Sequence, residues 1–551
     1  MIYQSGYLSL SSVTAIGRRY YNNQANIKKD FISSILQSTV TKREAKDYLK
    51  KYDLKDSKNN IALFFLQDTV SLLQHQDILK KTLQKLINLG VSPIILLEQD
   101  ESKSKNVNVL EHYKISDMLN CTAMPNLEYI PNNYKPTLDN AKGQRMLMYA
   151  KQKGYKTEDN GNIIAFVKSL HSKLGSLEKI IVLNKKGGIP SSNRNWFPHV
   201  FMNLRDEYQS SVEEIERKLK TISPETDTAA NEIKKLTQDI CNLGLFRDCL
   251  TALPITSTGL VTSYKSLDDN IKNNNNNPII HNLLTDRSLV SCSLPSFKKM
   301  QLVQEGDIKW YESRDAVIKN GEVKETSQKD FNDEDVFFQT TVLKKGIDIN
   351  FFKERLLTEN NCIGLPQKFN TGKKTPHEGF KLDLIKVCAI IKASFNRDLD
   401  LEHYLSRING NIAFIIIIGD YEGIAICTYE SYVDSSNNKK QLTYLDKVAV
   451  LPHLKGSLSI ADLMFIEMFN QNDLLVWRSR KENVVNKWYF QRSKGSIDLD
   501  KIDKSDKNGD STFRLFYYHN EDKNDIFNGN DVEEIKNICK NIRDIKPSWK
   551  N

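Results

Sequence analysis

The chain lacks an apolar run that could cross a bilayer. Its longest, from Ile412 to Ile418, falls far short of the roughly 20 residues a spanning helix requires, so no integral membrane protein is expected. Cysteine is sparse, at 8 in 551 residues, with no C-x-x-C and no pair closer than Cys241 and Cys249. That spacing argues against a disulfide framework or a zinc ribbon, and it favours a reducing compartment without a metal site. Acid is missing locally: no Asp or Glu occurs before Asp30, while Arg18, Arg19, Lys28 and Lys29 stand among Ser9, Ser11, Ser12 and Thr14. A basic, hydroxyl-rich, acid-poor start without a long apolar core has the composition of a mitochondrial transit peptide, assigned to residues 1–29 and implying the matrix. Arg19-Tyr20-Tyr21 resembles a matrix-protease site that would leave Asn22 first.

Hydrophobic residues at 39% and charged residues at 27% are enough to build sizeable cores. Residues 60–66 form a buried strand pattern, 72–87 place leucines and isoleucines at helical spacing, and 93–97 are apolar again. This strand-helix-strand order predicts a parallel βαβ unit, hence an α/β domain. A strand at 179–183 runs into Lys185-Lys186-Gly187-Gly188; 212–236 reads as a charged helix broken at Ser223-Pro224, and 273–277 is an asparagine loop. The composition shift at 367–376 reads as a linker, dividing a domain at 30–370 from one at 371–551. Beyond it the pattern predicts a helix at 382–395 and a hairpin of 411–418 and 423–429 around Gly419-Asp420-Tyr421-Glu422. A strand at 444–450, a loop, a helix at 460–469, a strand at 474–479, a short helix near Trp488 and a strand at 512–518 follow. That order suits a mostly antiparallel sheet opened at its centre by a ligand.

The densest group of unusual residues is 477–493. Arg478 and Arg480 share one face of a strand end, and two guanidinium forks there suit a substrate bearing carboxylates. A lone R-x-R is ordinarily a solvated basic face; the flanking Trp477, Asn483, Asn486, Trp488 and Tyr489 favour a pocket. Residues 1–29 carry +4 and 477–493 another +4 of the net +9. Charge so concentrated fits small anions better than a nucleic-acid surface, which would need a longer basic stripe.

Several motifs resemble the fungal and animal N-acetylglutamate synthase family, whose catalytic domain is a GNAT-type acetyltransferase. They are Tyr444-Leu445-Asp446-Lys447-Val448-Ala449-Val450, Lys455-Gly456-Ser457-Leu458 and 477–493, together with Arg43-Glu44-Ala45, Leu253-Pro254-Ile255-Thr256-Ser257, Asn282-Leu283-Leu284-Thr285-Asp286-Arg287 and Thr341-Val342-Leu343-Lys344-Lys345-Gly346. The resemblance covers residues 41–518. It implies an N-terminal amino-acid-kinase-like domain, degenerate because Gln67-Asp68-Thr69-Val70 replaces the Gly-Gly phosphate loop, followed by the acetyltransferase domain. It also implies acetyl transfer from acetyl-CoA to L-glutamate, opening arginine biosynthesis, with arginine as feedback inhibitor, a homo-oligomer and a complex with acetylglutamate kinase.

On that resemblance, Val448, Val450, Lys455, Gly456, Ser457, Leu458 and Ser459 would hold acetyl-CoA, its pyrophosphate on free N–H groups at a helix start. Leu458 and Ile460 stand where the superfamily favours small residues. Lys447, Arg478 and Arg480 would take the glutamate carboxylates, with Asn483 on the α-amino region or on a carboxylate oxygen. Tyr489 resembles the general acid at sulfur. Tyr444 would orient the amine or a water, and a water relay would replace a direct base. The alternative is a non-catalytic regulatory partner of the pathway kinase.

Overall fold

A computed structural model describes residues 60–89, 91–99, 105–124, 146–152, 161–174, 177–192, 196–268, 277–294, 339–367, 380–434, 436–455, 459–499, 512–519 and 532–550. The candidate leader and Arg43-Glu44-Ala45 lie outside them, as do Gly456, Ser457 and Leu458. The chain divides into two compact units: 1–290 with 334–346, and 291–333 with 347–551.

In the first unit, β1 (Asn60–Leu66), α1 (Thr69–Gln74), α2 (Gln76–Asn88) and β2 (Val91–Gln99) make the expected βαβ unit, with Leu63 level with Ile94 in parallel register. There follow α3 (Lys105–Met118), β3 (Cys121–Met124), β4 (Met146–Gln152), α4 (Gly161–Leu174), β5 (Leu177–Asn184) and β6 (Phe201–Asn203). The charged stretch is two helices, α5 (Leu204–Thr221) and α6 (Asp227–Thr251), and β7 (Thr258–Ser263), α7 (Pro278–Thr285) and β8 (Thr340–Lys344) complete the unit. The sheet order is β3-β4-β2-β1-β5-β7-β8-β6, parallel except at β7/β8. Only Gln67 and Asp68 separate β1 from α1, and both are engaged: Asp68 caps the helix, while Gln67 Nε2 donates to Asn242 Oδ1 at 2.8 Å. Of the four family motifs of this unit, the three among the described residues meet on two buried lysines. Lys179 pairs with Asp286 and donates to the Asn282 carbonyl at 3.1 Å. Lys344 donates to Thr258 Oγ1 and to the Thr256 carbonyl.

The second unit begins before the expected division at 370. β9 (Ile349–Phe352) already pairs with β12 (Ile412–Ile418), Ile415 opposite Phe352, so an edge strand that reads as part of the first domain belongs to the second. Between them lie β10 (Cys362–Ile363), β11 (Leu382–Asp383), α8 (Leu384–Phe395) and α9 (Leu401–Ile408). Then come β13 (Gly423–Val433), β14 (Lys439–Val450), α10 (Ile460–Gln471), β15 (Leu474–Arg480), α11 (Asn486–Arg492), β16 (Gly495–Asp498), β17 (Phe513–His519) and α12 (Val532–Asp544). The order β16-β17-β15-β14-β13-β12-β9 is antiparallel except for β14/β15.

The β12–β13 hairpin forms at the expected turn. Gly419 and Tyr421 both adopt positive φ (58° and 66°), and the Tyr421 hydroxyl accepts the Asp383 N–H at 2.7 Å, holding the strained turn in place. One core, with Ile391, Tyr404, Ile415 and Ile426, lies under α8 and α9; another, with Tyr444, Val476, Leu515 and Ile538, lies under α12.

Candidate active site

The two parallel strands at the centre of the second sheet part company. β14 and β15 pair only at Thr443/Leu475, Tyr444/Val476 and Leu445/Trp477. Beyond that point β14 runs on to Val450 held only by β13, and β15 runs on to Arg480 held only by β17. Among the described residues, neither arm has a strand partner on the side facing the gap, so backbone N–H and C=O groups there are available to side chains, water or a ligand. The fork opens at Asp446, near the middle of a sheet whose element order suits an opened centre.

A β-bulge lies at the same place. Ile426 is level with Lys447 and Cys427 with Leu445, so Asp446 is one extra residue on β14. Successive strand residues normally face opposite ways; here Asp446 and Lys447 both face α9. Lys447 Nζ is 3.0 Å from Asp446 Oδ2 and 4.4 Å from the Tyr404 ring centroid. Asp446 also pairs with Arg407 Nη2, and Arg407 Nη1 lies 3.2 Å from Glu430 Oε1. Burial alone would raise the Asp446 carboxyl, but the Lys447 ammonium and Arg407 guanidinium outweigh it and hold it at about 2. Glu430, half-buried beside this network, is shifted upward by its partial burial.

The predicted cations differ in their surroundings. Arg480, at the tip of β15, is exposed and has no ion-pair partner among the described residues. Arg478 donates from Nη1 to the carbonyls of Ile542 (2.6 Å) and Arg543 (3.0 Å), and from Nη2 to Ile545 (2.5 Å). Three of its five N–H groups thus close the end of α12, whose last carbonyls lack helical partners. Asn483 shapes the turn after β15: its Nδ2 donates to Ser479 Oγ at 3.0 Å and its Oδ1 accepts the Val485 N–H at 3.2 Å. Asn486 anchors the same turn through the carbonyls of Arg480 (2.7 Å) and Lys481 (3.0 Å).

Tyr444 is buried in the core under α12, its hydroxyl pushed up by burial. Tyr489 is buried on α11 among Phe465, Trp477, Trp488 and Phe516, and burial raises its hydroxyl to about 12. Both are protonated across the physiological range, so each is a proton donor.

On the other side of the gap, Val448 and Val450 are half-buried on the free arm. Lys455 is exposed, its ammonium 3.4 Å from the Ser394 carbonyl. Ser459 takes a left-handed conformation (φ 53°) and turns the chain into α10 without a side-chain cap of its own. An acid in that turn, Asp462, would oppose an anion; it is neutralised by Arg492 Nη2 at 2.7 Å. Arg492 is buried against the Trp488 ring at 3.5 Å and also bonds Ser291 and Ser293. It ties α11, and so Tyr489 three residues earlier, to the start of α10.

Arg407, Glu430, Tyr404 and the Asp462–Arg492 pair were not singled out from sequence. Arg407 and Asp462 look like ordinary helix-end charges, and Asp446 should alternate away from Lys447. Only the bulge brings those two together.

A family model for the N-acetyltransferase of N-acetylglutamate synthase matches residues 373–545. Along nearly the whole length, the chain resembles proteins named mitochondrial amino-acid acetyltransferase. The Kluyveromyces lactis protein is 38% identical, covering 96% of this chain and 97% of the relative. One from Eremothecium gossypii is 36% identical over 96% and 97%, and one from Saccharomyces cerevisiae 35% identical over 98% of each.

Proposed function

This chain belongs to the mitochondrial amino-acid acetyltransferase family, and from that premise we propose that its second unit transfers the acetyl group of acetyl-CoA to the amine of L-glutamate in the mitochondrial matrix. The observation that carries this reading is the fork between β14 and β15. Its free backbone edge suits the two amides of a pantetheine arm, and the turn at Ser459 with the start of α10 suits the pyrophosphate.

In this reading the glutamate carboxylates lie on Lys447 and Arg480. Arg478 has its Nε–H and one Nη2–H to offer, and otherwise fixes the wall of the pocket. The neutral amine attacks the thioester carbonyl and the C–S bond breaks. Tyr489 gives its proton to the departing sulfur, and the new amide nitrogen loses its proton to water. A hydroxyl held near 12 stays protonated until it is needed, and burial disfavours the thiolate in the same way, narrowing the mismatch between donor and acceptor. Tyr444 acts as a donor that orients the amine or its water, and Asn483 shapes the loop beside it. Binding both substrates in one gap supplies the proximity term. In the first unit the short link from β1 to α1 offers no phosphate cradle, which favours a regulatory role; arginine binding, oligomer contacts and a complex with the pathway kinase belong to that role.

Thiol release from acetyl-CoA with a panel of amino acids tests the reading. Release with glutamate and not with neutral amino acids is expected; equal release with both would overturn the substrate assignment. Arg480→Ala should raise the KM for glutamate roughly tenfold or more and leave that for acetyl-CoA nearly unchanged, the loss of a charge-assisted contact. Equal effects on both would remove Arg480 from the pocket.

A further inference from the structure

The segment that follows α12, residues 545–550, reaches from one arm of the fork to the helix opposite. At its start the Ile545 carbonyl is held by Arg478 of β15 at 2.5 Å. At its far end it bonds the loop ahead of α9: Asp400 N–H donates to the Ser548 carbonyl at 3.0 Å and Lys550 N–H to the Asp398 carbonyl at 2.9 Å. His403 Nδ1 lies 3.0 Å from Ser548 Oγ, and Leu399 and Trp549 form an isolated β-bridge. Between these ties the Trp549 ring packs against Phe395, with centroids 5.2 Å apart, and its centroid is 5.2 Å from Lys447 Nζ.

Lys447 therefore has Trp549 and Tyr404 as ring neighbours and Asp446 as its anion. An ammonium on a four-carbon stem has many directions open to it. Two aromatic faces and one carboxylate oxygen narrow these to few, because a ring face attracts a cation. Arg478, expected on sequence grounds to hold substrate, instead spends most of its donors on the base of this segment. The strap and the pocket are thereby built from one set of residues.

We propose that Trp549 is a positioning residue for the acidic acceptor: with Tyr404 it aims the Lys447 ammonium at a glutamate carboxylate, so selectivity for an acidic amino acid depends on the segment after α12. This rests on the assignment of Lys447 as a carboxylate ligand. It makes Trp549 neither a catalytic residue nor a contact of acetyl-CoA.

The test uses the full-length protein with steady-state kinetics in both substrates, on Trp549→Leu, Trp549→Phe, Lys447→Met and the Trp549→Leu/Lys447→Met double variant. Trp549→Leu should raise the KM for glutamate about five- to tenfold, the loss of one desolvated cation–ring contact. The KM for acetyl-CoA should stay within about twofold, and Trp549→Phe, which keeps a ring face, should recover most of the effect. Because Trp549 acts through Lys447, the double variant should be no worse than Lys447→Met alone. Multiplying penalties in the double variant, a matching rise in the acetyl-CoA KM, or no recovery with phenylalanine would each overturn the proposal and leave Trp549 a packing residue. If Lys447→Met raises the glutamate KM and Trp549→Leu does not, the positioning role alone falls. If Lys447→Met leaves it unchanged, the carboxylate assignment falls and the positioning role with it.

Discussion

Replacing Asp446 by asparagine puts the bulge network to its sharpest test. In the folded protein its side chain is 4% exposed and contacts Lys447, at 9%, and Arg407, at 20%. Its carboxyl sits near 2 against an ordinary 3.8, and a depression of that size corresponds to about 2 kcal/mol of stability. The sign follows from the direction. A carboxylate with a lowered folded pKa stabilises the fold above its unfolded pKa and loses that contribution as pH falls toward the folded value, here between about 5 and 2. Removing the charge at neutral pH does more than remove this contribution, because buried Lys447 and half-buried Arg407 lose the carboxylate they share; breaking one member of a buried ion pair costs about 3–5 kcal/mol. Asp446→Asn should therefore cost about 3 kcal/mol at pH 7. Urea unfolding followed by tryptophan fluorescence is well placed to see it, since Trp477, Trp488 and Trp549 all lie in the second unit. The deficit should shrink as pH drops below about 4. With Arg407→Gln added, the two losses should fall short of their sum by about 1–3 kcal/mol, the coupling of neighbours in one network. A deficit below about 0.5 kcal/mol at pH 7, or strict additivity with Arg407→Gln, would refute this account.

Three further outcomes follow. Tyr489→Phe should lower kcat roughly 100-fold with little change in either KM, and in the parent enzyme Tyr489, held near 12, should impose no alkaline loss of kcat below about pH 10; a kcat–pH profile of both proteins checks this. Gly423 packs directly beneath Ile460, with no room for a Cβ, so Gly423→Ala should displace the start of α10 and raise the KM for acetyl-CoA several-fold more than that for glutamate, measured by substrate titration. In the first unit, burial lifts the Asp239 carboxyl to about 7 despite Lys235 and Lys186. A raised acid favours folding below its unfolded pKa and loses that support as pH climbs through about 7, so Asp239→Asn should stabilise the unit by roughly 3 kcal/mol at pH 8 and by little at pH 4, read from urea midpoints at the two values.

Where periodicity alone decides an element, the sequence was a sufficient guide. β1, α2 and β2 are apolar in the right rhythm, and the hairpin turn at 419–422 is flanked by two unbroken apolar strands. The paired end of β14 and β15 could be placed because the two strands carry the family motifs. Of the elements that the sequence reading left out, three in the second unit show the physical reason. β9 is a four-residue edge strand whose pairing with β12 is set by contacts made more than sixty residues later. The short helix α9 and the charged helix α12 carry apolar stripes diluted by polar faces. The site was legible in its residue types and not in its partners. Nothing local distinguishes Arg478, which holds backbone carbonyls, from Arg480, which faces solvent. Nor does any local pattern announce that Trp549 lies beside a lysine a hundred residues earlier.

The bulge at Asp446 acts as a phase shift along β14. Residues up to Leu445 and residues from Lys447 onward belong to two alternation patterns offset by one position. The shift is confined to one residue: Leu445 and Lys447 still lie opposite the consecutive residues Cys427 and Ile426. Deleting Asp446 would close the bulge and leave Lys447, Val448, Ala449 and Val450 on the faces they already occupy. What the α9 face would lose is the carboxylate that pairs with Lys447 and Arg407. The extra residue thus sets an anion beside Lys447 without turning the arm of the fork, which no substitution in a regular strand could do.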